Sequence, residues 1–360
     1  MAEGNFRVGV IGPGGLGGAS VREISRMEGV ELAALLAFSP EKSGKDAGEL
    51  VGIGPLGVAA TTSLDEFMQT DASTVIYTGR DYGDFAADDT IIRLLEAGKN
   101  VITPLPYAFP KARGGDAAER LEVAAKKGGA TLLGTGITPG FFNERLAMLL
   151  TGVSNDVTHI RMQEFFNTAD LGESLELLQL FGFGGSLDAA NQNIAVAMLA
   201  ENYLIQPIHF AAEKLGLTID RIERQNQHRT AEEEIVTPAM TIPAGTVGLV
   251  SYAWTAYVGG KPFYTTEVYW YVGETMRPDI ATCDDFWTVT IEGRPSLRVS
   301  VESKASMLTG EKFGKGDPTP PGYLLTVVAM LRSVPLVERA EPGIMVPSMP
   351  ELHWKPGALA

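Results

Sequence analysis

Cysteine is nearly absent from this 360-residue chain: Cys283 stands alone, which excludes an internal disulfide and leaves nothing to suggest an oxidising compartment. Histidine is scarce too. The four histidines, His159, His209, His228 and His353, are far apart and show no metal-ligand spacing, so each reads as a packed or surface residue. Positive charge is in deficit, 29 Lys and Arg against 44 Asp and Glu, for a net charge of −15. A nucleic acid or an anionic membrane would demand a dominant basic face, so both are excluded as partners, and any phosphate has to be held by local geometry. Long apolar runs are missing as well. No stretch approaches the roughly 18 residues of a membrane span, and the opening MAEGNFRVGVIGPGG lacks the basic-then-apolar pattern of a secretion signal. The expectation is a cytoplasmic protein with a small-molecule partner, long enough for two domains.

Glycine, by contrast, is abundant and placed with purpose. The short β-branched run Arg7 to Ile11 leads into Gly12-Pro13-Gly14-Gly15-Leu16-Gly17, followed by a helix pattern from about Gly15 to Met27. Strand, G-x-G-x-x-G and helix in that order form a dinucleotide-binding turn. The first glycine allows the tight turn, the second lets backbone approach a pyrophosphate, and the third lets helix and strand pack closely. Further strands are read at Val30 to Phe38, Val58 to Thr62, Ser73 to Thr78, Asn100 to Thr103 and Thr131 to Gly134. Helical stretches at Leu64 to Gln69, Asp88 to Ala97 and Asp116 to Lys127 separate them. Alternation of this kind predicts an α/β fold with a Rossmann, doubly wound parallel sheet over residues 1–145.

The second strand ends without a carboxylate. Ser39-Pro40-Glu41-Lys42-Ser43-Gly44-Lys45 offers hydroxyls and two ammonium groups, which suit a 2′-phosphate and put NADP ahead of NAD. Glu31 opens that strand instead of ending it, although Glu41 is placed to accept ribose hydroxyls. Candidate cofactor contacts are therefore Gly12, Gly14, Gly15, Leu16, Gly17, Ser39, Pro40, Lys42, Ser43 and Lys45. Thr78, Gly79, Thr103, Pro104, Gly136 and Thr138 follow at the ends of later strands.

Beyond residue 145 the pattern changes. Leu175 to Phe181 and Leu187 to Leu215 read as helices, with a kink or break expected at Pro207. Two hairpins follow, Thr246 to Val258 with Phe263 to Val272, and Phe286 to Ile291 with Leu297 to Val301. They predict a second, α+β domain over 146–322 with an open-faced, largely antiparallel sheet. A last segment, 323–360, is expected to return to the first domain.

Catalytic candidates are few. The loop 100–110, NVITPLPYAFP, has prolines at 104, 106 and 110 and neither carboxylate nor histidine. Tyr107 and Lys111 stand at Y-x-x-x-K spacing, but Pro110 prevents the continuous helix that would align them, leaving Tyr107 alone as a candidate. Cys283 precedes Asp284 and Asp285, whose charges disfavour a thiolate. Glu164 shares a strand face with Ile160, Met162 and Phe166, surroundings that favour a raised pKa and proton donation. Asn143 and Glu144, after Thr138-Pro139-Gly140, are placed to reach a cleft and also fit an ordinary helix start.

VGVIGPGGLG, FSPEKSGKDAGEL, GTGITPGF and LRSVPLVERAEPGIM together resemble the two-domain reductases related to dihydrodipicolinate reductase, in the branch with 2,4-diaminopentanoate dehydrogenases and native amine dehydrogenases. The resemblance implies a nicotinamide cofactor between the domains, an open-faced sheet covering the substrate, and a homodimer. Two departures stand out. The adjacent histidine pair of dihydrodipicolinate reductases is missing, and where amine dehydrogenases carry a glutamate after the fifth strand this chain has Leu105 and Pro106. Three readings follow. The first is an NADP-dependent oxidoreductase acting on a C=N, C–N or C=O bond of a small, largely apolar molecule, with Glu164 or Tyr107 as proton donor. The second is an amine dehydrogenase with Glu164 in place of the missing acid, and the third an NADP-binding sensor without turnover.

Overall fold

The computed structural model describes residues 5–81, 84–170 and 175–357; the first four and last three residues, which the expected domain limits include, lie outside them. The chain divides into two compact units. One runs to Phe141 and adds Gly322–Pro347; the other is Phe142–Pro321 with the residues from Ser348 onward.

The first unit is a parallel sheet. Strands β1 (Phe6–Ile11), β2 (Val30–Leu36), β3 (Ala60–Thr61), β4 (Thr74–Tyr77), β5 (Asn100–Thr103) and β6 (Thr131–Gly134) are joined by a closing strand, Gly343–Met345. Their order is closing strand, β6, β5, β4, β1, β2, β3. Every pairing is parallel, which buries both faces and explains why β4 and β6 are buried throughout, not alternating. One face packs Val75, Val101 and Leu132 against Ile91, Leu94 and Leu121 of the helices Asp88–Glu96 and Ala117–Gly128. The other packs Val10, Ile76 and Leu133 against helix α1 (Gly15–Ile24) and the helix Pro321–Arg332. Each fully buried aliphatic side chain contributes roughly 1.5–3 kcal/mol. The doubly wound architecture is the one the alternating pattern predicts.

The second unit holds β7 (Asn155–Asn167), β8 (Arg221–Asn226), the short β9 (Arg229–Thr230), β10 (Ile235–Val236) and β11 (Thr241–Ile242), then β12 (Val247–Val258), β13 (Lys261–Tyr271), β14 (Asp285–Arg294) and β15 (Leu297–Glu302); β10 and β11 pair as a small sheet of their own and the others form a mixed sheet. The main sheet runs β15, β14, β7, β13, β12, β8, and all its neighbours are antiparallel except β7 and β13. The helix Ile194–Leu215 lies on one face, where the Thr266 hydroxyl donates to the Leu204 carbonyl at 2.7 Å.

Two expectations need correction. Pro207 lies inside that helix without ending it; the interruption comes at Gln192, after which the Asn193 side chain caps the new start by accepting from the Val196 N–H. The whole of 323–360 does not return to the parallel-sheet unit either. From Ser348 the chain belongs to the second unit, where the Trp354 N–H donates to the Thr151 hydroxyl and the Trp354 ring lies 6.3 Å from that of Phe263.

Candidate active site

In the parallel-sheet unit the glycine loop has the three properties its motif demands. Gly12 sits at φ +86, a Cβ on Gly14 would meet nothing within 4 Å, and a Cβ on Gly17 would stand 2.1 Å from the Gly12 carbonyl. Open space over Gly14 at the start of α1 is what a pyrophosphate needs, so these residues fit a dinucleotide. The Thr78 hydroxyl ties β4 to the loop, facing the carbonyls of Ile11 at 2.8 Å and Gly12 at 2.9 Å.

Around this loop lies a cavity of about 570 Å³ that brings together Gly12, Gly14, Ser39, Lys42 and Thr78. Its lining also includes side chains that were not among the sequence candidates, Phe38 and Arg80 among them. Phe38 is 61% exposed at the end of the strand region. Arg80 follows Thr78-Gly79, and a cation directly after a parallel strand is the signal by which the sequence could have shown it. Pro40, Ser43 and Lys45 are exposed and do not line the cavity. Gly15 faces the Tyr323 ring, and Leu16 packs against the core. A Cβ on Gly79 would meet the Tyr77 hydroxyl at 2.7 Å. Glu31 is bound to Arg7 at 2.8 Å at the opening of β1 and β2, away from the strand ends that carry the loop.

The proline loop after β5 turns inward. Thr103 is fully buried, its hydroxyl donating to the Tyr77 carbonyl at 2.9 Å and accepting from the Leu105 N–H at 3.2 Å, so its side chain is committed to the strand instead of a ligand. Tyr107 is fully buried as well. Its hydroxyl donates to Asp88 Oδ1 at 2.6 Å, while Arg113 grips both oxygens of the same carboxylate at 3.0 and 2.6 Å. Burial, reinforced by Asp88, drives the Tyr107 hydroxyl far above the usual phenol range. The pairing of Tyr107 with Lys111 on one helical face does not occur, because the only helical turn here, Pro110–Arg113, starts after Tyr107. A Cβ on Gly134 would stand 2.1 Å from the Tyr107 backbone, so β6 clamps the loop from the other side. Pro104 and Gly136 are neighbours, at 3.7 Å from the Gly136 Cβ position, and the Thr138 hydroxyl is buried with no hydrogen-bond partner among the described residues.

The mixed-sheet unit holds the carboxylate. Glu164 on β7 is partly buried and lies between two indoles: Trp287 Nε1–H donates to Oε2 at 3.0 Å and Trp270 Nε1–H to Oε1 at 3.3 Å. The Trp270 ring stacks on Phe181 at 4.7 Å, and Trp287 lies 5.0 Å from Phe142. Two N–H groups aimed at the two oxygens suit an ionised, acceptor-only carboxylate. Asn143, in the single π-turn Phe142–Leu146, is fully buried, and neither amide atom of its side chain has a partner among the described residues, while its carbonyl accepts from the Tyr264 hydroxyl at 2.8 Å. Turns of this type concentrate at functional sites. Elsewhere Cys283 is buried, its thiol pushed up by that burial and donating to the Asp285 carbonyl. No group of three or more His, Cys, Asp or Glu among the described residues has the arrangement of a metal site.

A dinucleotide-type parallel sheet followed by a mixed sheet is the architecture of two-domain oxidoreductases. The model of the dihydrodipicolinate reductase N-terminus matches residues 6–96, and that of the 2,4-diaminopentanoate dehydrogenase C-terminal domain matches residues 141–354. The chain therefore belongs to the 2,4-diaminopentanoate dehydrogenase C-terminal domain family, an amine dehydrogenase-like family of oxidoreductases. It is 27% identical over 346 residues to an amine dehydrogenase of Streptomyces virginiae, covering 93% of each chain. It is 20% identical over 351 residues to the 2,4-diaminopentanoate dehydrogenase of Acetoanaerobium sticklandii, covering 94% of this chain and 91% of that one. Its fold is that of the amine dehydrogenase from Mycobacterium smegmatis, with a TM-score of 0.79 at 24% identity and 98% of each chain covered.

Proposed function

We propose that this protein is a nicotinamide-dependent oxidoreductase working at a carbon–nitrogen bond of a small, largely apolar molecule, with Glu164 holding the cationic nitrogen. The observation that carries the reading is the Glu164 carboxylate between the indole N–H groups of Trp270 and Trp287. An iminium or ammonium ion next to apolar rings is costly unless a fixed negative group faces it, and the charge that stabilises the cation also favours its formation from ketone and ammonia. When bound, the nicotinamide supplies or accepts the hydride. The chain's own part is to hold the dinucleotide over Gly12 and Gly14, to keep Glu164 oriented through two indoles, and to offer the unpaired amide of Asn143 as a polar contact. Tyr107 has no part in proton transfer on this reading, since its hydroxyl is held by Asp88.

NADP is proposed ahead of NAD because Ser39 and Lys42 line the cavity beside the glycine loop, with Arg80 as a second cation. A reductase confined to preformed imines is the second reading, favoured by the buried, carboxylate-free loop from Pro104 to Pro110. NADPH oxidation separates the two when apolar ketones with excess ammonia are compared with preformed cyclic imines. Glu164→Gln is expected to lower kcat/KM for amination by about 100- to 1,000-fold, on the scale of losing one preorganised charge-stabilising group, and to affect cyclic imines far less. Amination that survives the substitution unchanged removes Glu164 from the reaction. Turnover of either set removes a purely sensing role.

A further inference from the structure

The row of side chains that carries Glu164 continues across the sheet and ends in unsatisfied polar atoms. In register, Trp287 on β14 faces Glu164 on β7, Glu164 faces Val268 on β13, Val268 faces Tyr252 on β12, and Tyr252 faces Asn226 on β8. Directly opposed residues point to the same face of a sheet, so all five belong to one surface. The Tyr252 ring is 6.5 Å from that of Trp270, the Glu164 partner, and 5.1 Å from that of His228, edge to face.

At the Tyr252 end three atoms have no hydrogen-bond partner among the described residues: the Tyr252 hydroxyl, His228 Nε2 and Asn226 Oδ1. Tyr252 is 1% exposed. An unsatisfied buried polar group costs about 1–3 kcal/mol, and three on neighbouring residues mark a place built for something else to complete. Their chemistry is defined. His228 Nδ1 accepts the Ser251 N–H at 3.3 Å, which puts the proton of the neutral ring on Nε2 as a donor. Burial lowers the His228 pKa and pushes that of Tyr252 up to about 12, so both are uncharged near neutral pH. The end therefore presents one N–H donor, one hydroxyl able to donate and accept, and one amide oxygen acceptor. Arg224, also facing this surface from β8, is exposed, and solvent screens its charge.

Resting on the reading of Glu164 above, we propose that Tyr252, His228 and Asn226 form the second recognition point of the substrate, one that takes a neutral hydroxyl borne at a distance from the nitrogen. The Cα atoms of Glu164 and Tyr252 are two strands apart, about 10 Å, so the two groups lie several bonds apart on a chain whose middle crosses Val268. The substrate class is a medium-chain amino alcohol and the corresponding hydroxy ketone. A hydroxyl both donates and accepts, which matches the mixed donors and acceptors, whereas a carboxylate would meet the Asn226 oxygen and no buried cation.

The test is a tryptophan-fluorescence titration of the full chain, with saturating NADP⁺, using matched probes: a straight-chain primary amine, the same chain with a terminal hydroxyl, and the same chain with a terminal carboxylate. The expected result is Kd lowest for the amino alcohol, by about tenfold over the plain amine. In Tyr252→Phe, and independently in His228→Ala, the ratio of the two Kd values falls to near one. Equal Kd values in the unaltered protein, tighter binding of the carboxylate, or a preference that survives both substitutions overturns the proposal, as does failure of every amine to bind. An amino-alcohol preference that depends on Tyr252 but is indifferent to Glu164→Gln keeps this subsite and removes the role given to Glu164, so the two readings fail separately.

Discussion

Tyr107 shows how one hydroxyl is settled by its surroundings. It accompanies a buried ion pair, and a hydrogen bond to a charged partner contributes about 1.5–3 kcal/mol, so Tyr107→Phe is expected to lower stability by that order while kcat/KM stays at the parent value. Chemical denaturation and steady-state kinetics on the same preparation check both halves. A well-folded variant that has lost a hundredfold in kcat/KM would return Tyr107 to the reacting centre. Glu164 is the contrasting case. The alternation in His159 to Phe166 set its face, but a single strand says nothing of indoles that arrive 106 and 123 residues later. Those partners turn the proton donor expected from apolar neighbours into the proposed cation-holding acceptor.

At the level of elements, the loop that follows β2 is held by one side chain. Asp46 caps the short helix Ala47–Leu50 and accepts from the backbone N–H groups of Gly48 at 2.8 Å, Leu56 at 2.9 Å and Gly57 at 2.7 Å. The Leu56 N–H first, then those of Gly48 and Gly57, hold its carboxyl below the usual range. A carboxylate whose folded pKa is depressed contributes stability above its unfolded pKa, about 3.9, and loses it as pH falls through the folded value. Asp46→Asn is therefore expected to melt below the parent near neutral pH, with the gap closing as pH drops below about 4. Thermal melts across pH 2.5 to 7 measure this, and a gap constant with pH would refute the charge-based account. The same segment carries Ser39 and Lys42 to the cavity, so the cap supports the proposed cofactor side as well.

For the molecule as a whole, a net charge of −15 opposes an anionic ligand, and the proposed NADP preference depends on a few local cations. Lys42→Ala and Arg80→Ala are each expected to raise Kd for NADP by roughly 10- to 100-fold, the range of one charge-assisted contact, while changing Kd for NAD by less than threefold. Calorimetric titration with both dinucleotides gives the comparison, and equal losses for the two would remove the 2′-phosphate assignment. Among the described residues no helix is long and apolar enough to cross a membrane.

The sequence by itself determined the parallel sheet and its glycine loop, because a strand buried on both faces and a backbone that must approach a phosphate leave local signatures: continuous apolar runs and glycines at fixed spacing. It also determined the face of Glu164, which period-two alternation dictates. Only the tertiary structure decided what each polar atom meets. Tyr107 was withdrawn by Asp88, from a helix 19 residues earlier. The expected break at Pro207 moved to Gln192, where the Asn193 cap begins the long helix, and the chain from Ser348 was drawn back to Thr151. The alignment of Trp287, Glu164, Tyr252 and Asn226 in one row depends on the register of five strands, a long-range property that no local pattern encodes.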